Sequence, residues 1–197
     1  MKPSVLITLS ALLISGPILA DNTGSLADLV KELKAREAAR APLVAAAESG
    51  DADKVKSLIE QGADLEARGM SGKTALMAAA QLGRGDIVRI LVTAGATINA
   101  GDDHGGTALY AAIAGKHPLV ALQLMGLGAD VNARTTSGSS PLITAAWFGQ
   151  AEIIRELLRR KADPNARDRD GRTALSFATR ANRQDIVDLL IQSGAKN

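Results

Sequence analysis

A 33-residue period constrains this chain more than any other feature. Five leucines recur at this spacing without a slip, and a Gly-Ala pair, replaced once by Lys-Ala, keeps the same step. A fixed period of this length indicates one supersecondary unit stacked on copies of itself. Such a stack buries a core between neighbouring units and leaves a long surface that can hold another molecule. The leucines are Leu43, Leu76, Leu109, Leu142 and Leu175, and the pairs begin at Gly62, Gly95, Gly128, Lys161 and Gly194.

The pattern within each unit predicts two helices, as the residues of the second unit illustrate. Thr74 is a good N-cap for a short helix of strong helix formers over residues 75–80. Gly83 predicts the end of that helix, because glycine readily takes the left-handed conformation. A second helix with a broad apolar stripe follows from Asp86 to the stop at Gly95. The unit therefore consists of turn, helix, turn, helix and projecting loop.

The period and its motifs resemble the ankyrin repeat. Residues 127–133 read Leu-Gly-Ala-Asp-Val-Asn-Ala, close to the ending of that repeat, and Ser140-Pro141-Leu142 is similar to its Thr-Pro-Leu helix start. The resemblance covers about residues 36–197. It implies an all-α ankyrin-repeat solenoid of about five helix-turn-helix repeats, with β-turn fingers that project at roughly a right angle. The fingers and the inner helices would then line a concave face.

Several positions depart from the family pattern, among them positions in the third and first units. In the third unit the helix-ending glycine comes one residue early, at Gly115, with Lys116 in the usual place and Pro118 soon after. We expect that interhelical turn to differ locally from the others. The first unit lacks the turn glycine and the threonine, which are replaced by Ala39 and Ala41, so it is interpreted as a cap.

The N-terminus predicts export. Lys2 precedes a ten-residue apolar run, Val5–Ile14, and Ala20 supplies the small residue before a cleavage point. The run is well short of the ~20 residues that span a bilayer. We therefore interpret residues 1–20 as a signal peptide and expect a periplasmic protein, as in bacterial exported proteins of similar pattern. The alternatives are an uncleaved anchor and secretion to the medium.

The stripe Leu26, Leu29, Val30 and Leu33 at helical spacing predicts a further helix upstream of the repeats. We interpret it as an N-terminal capping helix, since the ends of a solenoid need covers with a polar outer face. The alternative is a free partner-binding helix. The expected organisation is a signal peptide at 1–20, the capping helix at 21–35, and repeats at 36–68, 69–101, 102–134, 135–167 and 168–197.

Composition and charge narrow the function. The chain has no cysteine, which excludes disulfides and thiol catalysis, and its net charge is only +2. Residues 21–133 carry 11 basic and 14 acidic side chains, whereas residues 134–197 carry 11 and 7. This asymmetry suits electrostatic orientation of a partner, although an ordinary solvated surface would look the same. Near-neutral charge with an export signal argues against nucleic-acid binding.

The sequence offers no catalytic constellation. His104 and His117 lack metal-ligand spacing. Gly72-Lys73-Thr74 resembles the end of a phosphate-binding loop, but Ala67 stands where the first glycine is required. We therefore expect no enzyme, no catalytic residue, no metal and no cofactor.

The resemblance implies a protein-binding site at the ends of the inner helices and on the fingers. Trp147 and Phe148 are adjacent at one such position, in a chain with four aromatic residues, and aromatic and arginine side chains dominate interface hot spots. The alternative is that one of the two packs against a neighbouring repeat. The predicted contact residues are Trp147, Phe148, Leu82, Gln81, Met70, Lys73, Arg134, Arg167, Arg169, Arg172 and Arg180.

We expect a monomer that binds another protein without catalysis and, after cleavage of the signal, does not insert into a membrane. In the periplasm it would stabilise or inhibit another exported protein, as an immunity-type or chaperone-like partner does. The alternative is a secreted effector that binds host proteins.

Overall fold

The structure is a computed structural model that describes residues 41–196. Within this range the chain forms ten α-helices in five successive pairs and one 3₁₀ turn at Met70–Gly72, with no β-strand. The expected all-α solenoid of helix-turn-helix repeats is confirmed. The odd-numbered helices are called inner and the even-numbered outer: α1 Pro42–Ser49, α2 Ala52–Glu60, α3 Ala75–Gln81, α4 Gly85–Thr93, α5 Ala108–Ala114, α6 Pro118–Gly126, α7 Pro141–Phe148, α8 Ala151–Arg159, α9 Ala174–Arg180 and α10 Gln184–Gln192.

The predicted signal peptide (1–20) and capping helix (21–35) lie outside the described residues. The boundaries of the individual repeats stay predictions. Between residues 41 and 196, none of the helices has the length and apolar character needed to cross a membrane.

Side-chain caps start four of the five inner helices. The oxygens of Thr74, Thr107, Ser140 and Thr173 each accept a hydrogen bond from the backbone N–H three residues later. This contact satisfies one of the N–H groups that a helix start leaves without a partner. The cap that the sequence predicts at Thr74 is therefore confirmed.

The turn between the two helices of each pair has the same backbone form in all five. One residue of each turn, at the same position in the 33-residue repeat and one or two residues after the inner helix, has a left-handed backbone with φ between 53° and 78°. These residues are Gly50, Gly83, Lys116, Gly149 and Asn182. The expectation of a different turn in the third pair was wrong. Lys116 takes the left-handed conformation itself, and Gly115 has an ordinary φ of −71°. Gly115 is small for another reason: a Cβ there would overlap the backbone oxygen of Gln81 in the preceding pair.

The core lies between the helix pairs. The five leucines of the 33-residue series and the alanines three residues after them are buried, and successive inner helices pack directly against one another. Burying one leucine side chain contributes roughly 1.5–3 kcal/mol, so the series stabilises each interface between neighbouring pairs.

The fingers are tied to each other and to the helices by a regular backbone network. Each described finger closes a backbone hydrogen bond across its turn, such as Asp168 N–H to the Arg172 oxygen at 3.0 Å. Neighbouring fingers are joined by backbone bonds of 2.7–3.2 Å, for example Thr136 N–H to the His104 oxygen at 2.7 Å. Three asparagines also accept bonds from the next repeat's backbone: Asn99, Asn132 and Asn165. These contacts give the fingers a defined position beside the inner helices.

Candidate protein-binding face

The exposed side chains of the inner helices and of the fingers form one surface, here called the concave face. Trp147 lies at the end of α7 with 58% of its surface exposed. Its ring meets the buried ring of Phe177 edge to face, with 5.0 Å between the centroids and 76° between the planes. Aromatic pairs favour this edge-to-face arrangement, so the contact with Phe177 in the next repeat stabilises the position of the exposed Trp147 ring.

Arg172 and Asp168 support this aromatic pair from the finger. The Arg172 guanidinium lies 5.2 Å from the Phe177 ring centroid, while its Nε donates to Asp168 Oδ2 at 2.8 Å. Burial of Asp168 opposes ionisation, but hydrogen bonds from the Arg172 side chain and backbone, the charge of Arg172 and the Asp170 N–H together lower the pKa of that carboxyl. Asp168 is therefore an ionised anchor that orients Arg172 against Phe177.

Phe148 and Leu82 lie at equivalent positions two repeats apart. Phe148 is half-buried, and the Lys116 ammonium lies 5.4 Å from its ring centroid. Leu82 is 45% exposed at the end of α3, and Met70 is 64% exposed on the first finger. Because two helix spacings of about 8–10 Å separate Leu82 from Phe148, these apolar side chains lie along the face rather than in one cluster.

Two of the predicted contact arginines also hold the fingers in place. Arg134 donates to the backbone oxygens of Gly138 and Arg167, and Arg167 donates to the oxygen of Gly171 at 3.0 Å. Both side chains are exposed, so they can present charge to a partner while part of each guanidinium serves the turn.

Arg169 and Arg180 are different from Arg134 and Arg167. Both are exposed, and neither side chain makes a hydrogen bond or ion pair within the described part of the chain. Arg169 is on the last finger, and Arg180 ends α9. Their guanidinium groups are therefore fully available to a ligand.

Lys73 and Gln81 are brought together in a second region of the face. The Lys73 Nζ donates to Gln81 Oε1 at 2.7 Å. Both line a groove of about 390 Å³ between the fingers and the inner helices, together with Tyr110 and hydroxyl-bearing finger residues such as Thr136. Of the predicted contact residues, only Lys73 and Gln81 line this groove. The aromatic residues and most of the arginines lie in the fourth and fifth repeats, and the others lie elsewhere along the face.

The residues from 41 to 196 contain no group of three or more His, Asp or Glu side chains placed to hold a metal ion. The two histidines lie in different surroundings: His104 is exposed on a finger, whereas His117 precedes α6 and faces Gly83 of the preceding repeat.

The family model described as ankyrin repeats (three copies) matches residues 18–102, 43–135 and 108–197. These ranges cover most of the sequence and overlap from one to the next. The chain belongs to the ankyrin-repeat family. Ankyrin repeats generally mediate protein–protein interaction. No curated protein matches the chain significantly.

Phe177 is the residue of this ankyrin-repeat surface that sequence reasoning missed. It is only 7% exposed, yet it supports both Trp147 and Arg172. The available signal was its rarity, since it is one of four aromatic residues in the chain. Its position in the middle of an inner helix gave no reason to associate it with a tryptophan thirty residues earlier.

Proposed function

We propose that this ankyrin-repeat chain is a non-catalytic binding protein that holds another exported protein against its concave face. The observation that supports this most is Trp147, a large ring left more than half exposed while it packs edge to face against Phe177 of the next repeat. Rigid, exposed aromatic side chains supply contact area with little loss of conformational entropy, which is why they recur as interface anchors.

Affinity capture tests this proposal. The full chain with a C-terminal tag would be used as bait on periplasmic extract of the source organism, beside Trp147→Ala and the matched control Leu119→Ala. Leu119 is 80% exposed on the outer helix α6, so the control removes an exposed apolar side chain away from the concave face. A protein retained by the native chain and the control but lost with Trp147→Ala is expected. Equal capture by all three baits would show that Trp147 is not part of the binding site.

We propose further that binding stabilises or inhibits the partner. The melting temperature and activity of the captured protein would be measured with and without the chain. A bound partner whose stability and activity are both unchanged would contradict this role and favour a scaffold.

The periplasmic location is a separate proposal that rests on the N-terminal pattern. Intact mass spectrometry of the chain from periplasmic extract should give a protein that begins at Asp21. The mass of the uncleaved chain, or its recovery from the cytosol alone, would contradict it.

We also propose that the chain is a monomer. Between residues 41 and 196 the large exposed apolar side chains are spread over several elements, and apolar residues exposed singly do not by themselves indicate a subunit interface. Sedimentation equilibrium should return the mass of one chain, and a dimer at micromolar concentration would contradict this proposal.

A further inference from the structure

Two arginines without an ion-pair partner between residues 41 and 196 lie in the repeat that follows Trp147, Arg169 on its finger and Arg180 at the end of its inner helix α9. Arg180 occupies in α9 the position that Trp147 occupies in α7, 33 residues earlier. Helices α7 and α9 pack directly against each other, so the two positions lie about 8–10 Å apart. The backbone N–H of Arg169 donates to the Ser137 oxygen at 2.9 Å, which joins its finger to the finger of Trp147's own repeat.

The last finger carries two carboxylates and two guanidinium groups, so its charges balance. Asp168 and Asp170 both pair with Arg172, at 2.8 Å and 2.7 Å. Arg169 and Arg180 have no such partner among the described residues. Arg180 at the end of α9 adds one further positive charge, so the surface beside Trp147 presents an apolar ring next to a small excess of positive charge in the last repeat.

We infer that the partner supplies a short linear segment in which an apolar side chain covers Trp147 and a nearby Asp or Glu pairs with Arg180 or Arg169. The inference rests on the proposed function, because it names the chemistry of the partner for the same face. A guanidinium binds a carboxylate through two parallel hydrogen bonds, which adds direction as well as attraction. An extended chain advances about 3.3 Å per residue, so the acidic residue stands two or three positions from the apolar one.

The same surface suits a protein segment better than a phosphate-rich ligand. Proteins that hold a nucleic-acid backbone typically neutralise about 6–10 phosphates, whereas this region offers two unpaired cations. The exposed carboxylate of Asp170, on the same finger as Arg169, would repel a polyanion. A segment with a single carboxylate needs only one unpaired guanidinium, and Asp170 repels one charge less than it repels a polyanion.

Selection from a displayed library of random 12-residue peptides tests the inference without knowledge of the natural partner. The native full chain is the target, and the best peptide is then measured by fluorescence anisotropy against four variants. These are Trp147→Ala, the double variant Arg169→Gln with Arg180→Gln, Leu119→Ala, and the matched double variant Arg89→Gln with Arg155→Gln. Arg89 and Arg155 are exposed on the outer helices α4 and α8, so they control for loss of two charges. Thermal melts establish that each variant is folded.

The selected peptides should be enriched in an Asp or Glu two or three positions from an aromatic or aliphatic residue. Binding should weaken about two- to fivefold in the Arg169 and Arg180 double variant, as expected for the loss of one exposed charge pair, and should also weaken as salt rises. Trp147→Ala should weaken binding as well, and both controls should bind like the native chain.

Other results would overturn the inference. Peptides without acidic enrichment, or with unchanged affinity for the arginine double variant, would exclude an acidic residue in the bound segment. The proposed binding at Trp147 would not be affected by that result. No selected peptide at all would exclude a linear segment, and the capture experiment with whole extract would still judge the proposed function separately. Binding to vesicles containing 30% phosphatidylglycerol that is lost in the arginine double variant would assign the cations to a lipid surface instead.

Discussion

At the residue scale, the turns of this chain depend on left-handed backbone positions that recur with the repeat. Glycine fills most of them, but Ser71, Lys116, Lys161 and Asn182 also have positive φ. A side chain in this region costs about 1–2 kcal/mol, because its Cβ approaches the following carbonyl. The packing of the repeat imposes the conformation at these four positions, and the strain lowers the stability of the fold.

Lys161 offers the clearest test of that cost. It has φ 66° and is exposed, and it stands where the four other repeats have glycine at φ 80–99°. Replacing Lys161 by Gly should raise the free energy of unfolding by about 0.5–1 kcal/mol, since relief of strain is partly offset by the greater freedom of glycine in the unfolded chain. Urea unfolding measures the change.

The reciprocal variant Gly128→Lys is its control. Gly128 has φ 94° at the equivalent position of the preceding repeat, with no atom near its Cβ direction. This variant should be less stable than the native chain. A Lys161→Gly protein no more stable than the native one would contradict the account of these turns.

Gly115 tests close packing rather than backbone strain. Its φ is ordinary, but a Cβ would overlap the Gln81 backbone oxygen, which cannot move without its helix. Gly115→Ala should therefore lower stability by about 1–3 kcal/mol, as overpacking does. The matched change Gly126→Ala, in α6 with no heavy atom within 4 Å of its Cβ position, should leave stability unchanged or raise it by up to about 1 kcal/mol. Equal effects of the two changes in thermal melts would exclude the contact as the cause.

At the element scale, each inner helix depends on the one beside it. Leu142 is 1% exposed in α7, between α5 and α9. Leu142→Ala should lower the free energy of unfolding by about 2–5 kcal/mol, because it leaves a cavity between the repeats. Leu119→Ala, an exposed leucine on α6, should change it by less than about 0.5 kcal/mol. An unchanged melting temperature for Leu142→Ala would contradict the assignment of this leucine series to the core.

An ion pair links the outer helix α8 to the preceding repeat. Hydrogen bonds from Arg159 and then Arg160 lower the pKa of Glu156 from 4.5 to about 2. Arg160 also donates to the Met125 backbone oxygen of α6 at 2.5 Å, so Glu156 orients a contact between outer helices.

The pH dependence of stability follows from that lowered pKa. Glu156 stabilises the fold where it is ionised, fully above about pH 4.5, and this contribution is lost as the pH falls from 4.5 toward 2. Glu156→Gln should therefore be less stable than the native chain at pH 7, and the difference should shrink over that range. Urea unfolding at several pH values measures it. Glu152→Gln on the same helix is the control, and a difference between Glu156→Gln and the native chain that does not depend on pH would contradict the ion pair.

At the scale of the whole molecule, the sequence predicted what depends on neighbouring residues and missed what depends on stacking. The helices and the Thr74 cap follow from local spacing and propensity, and both were predicted. The left-handed Lys116 was not, because the turn that the helix pair imposes overrides the preference of the residue. Contact of Trp147 or Phe148 with a neighbouring repeat was one of the two alternatives from the sequence, but Phe177 as the partner of Trp147 was missed for a related reason: the contact joins two repeats, and side-chain direction there is decided by packing.

The concave face differs in character between the second and third repeats and the fourth and fifth repeats. The groove beside Tyr110 is lined largely by polar side chains, whereas the region of Trp147, Phe177 and the arginines combines apolar surface with positive charge. A partner that lies along the repeats would meet both, and we expect its main anchor in the second.

Hydrogen–deuterium exchange on the complex with the captured partner would locate the bound surface. Binding should protect the amides at the ends of α7 and α9 and in the finger over residues 168–172, with the outer helices α6, α8 and α10 unchanged. Protection confined to the outer helices, with α7 and that finger exchanging as in the free chain, would show that the protein binds its partner through the opposite surface.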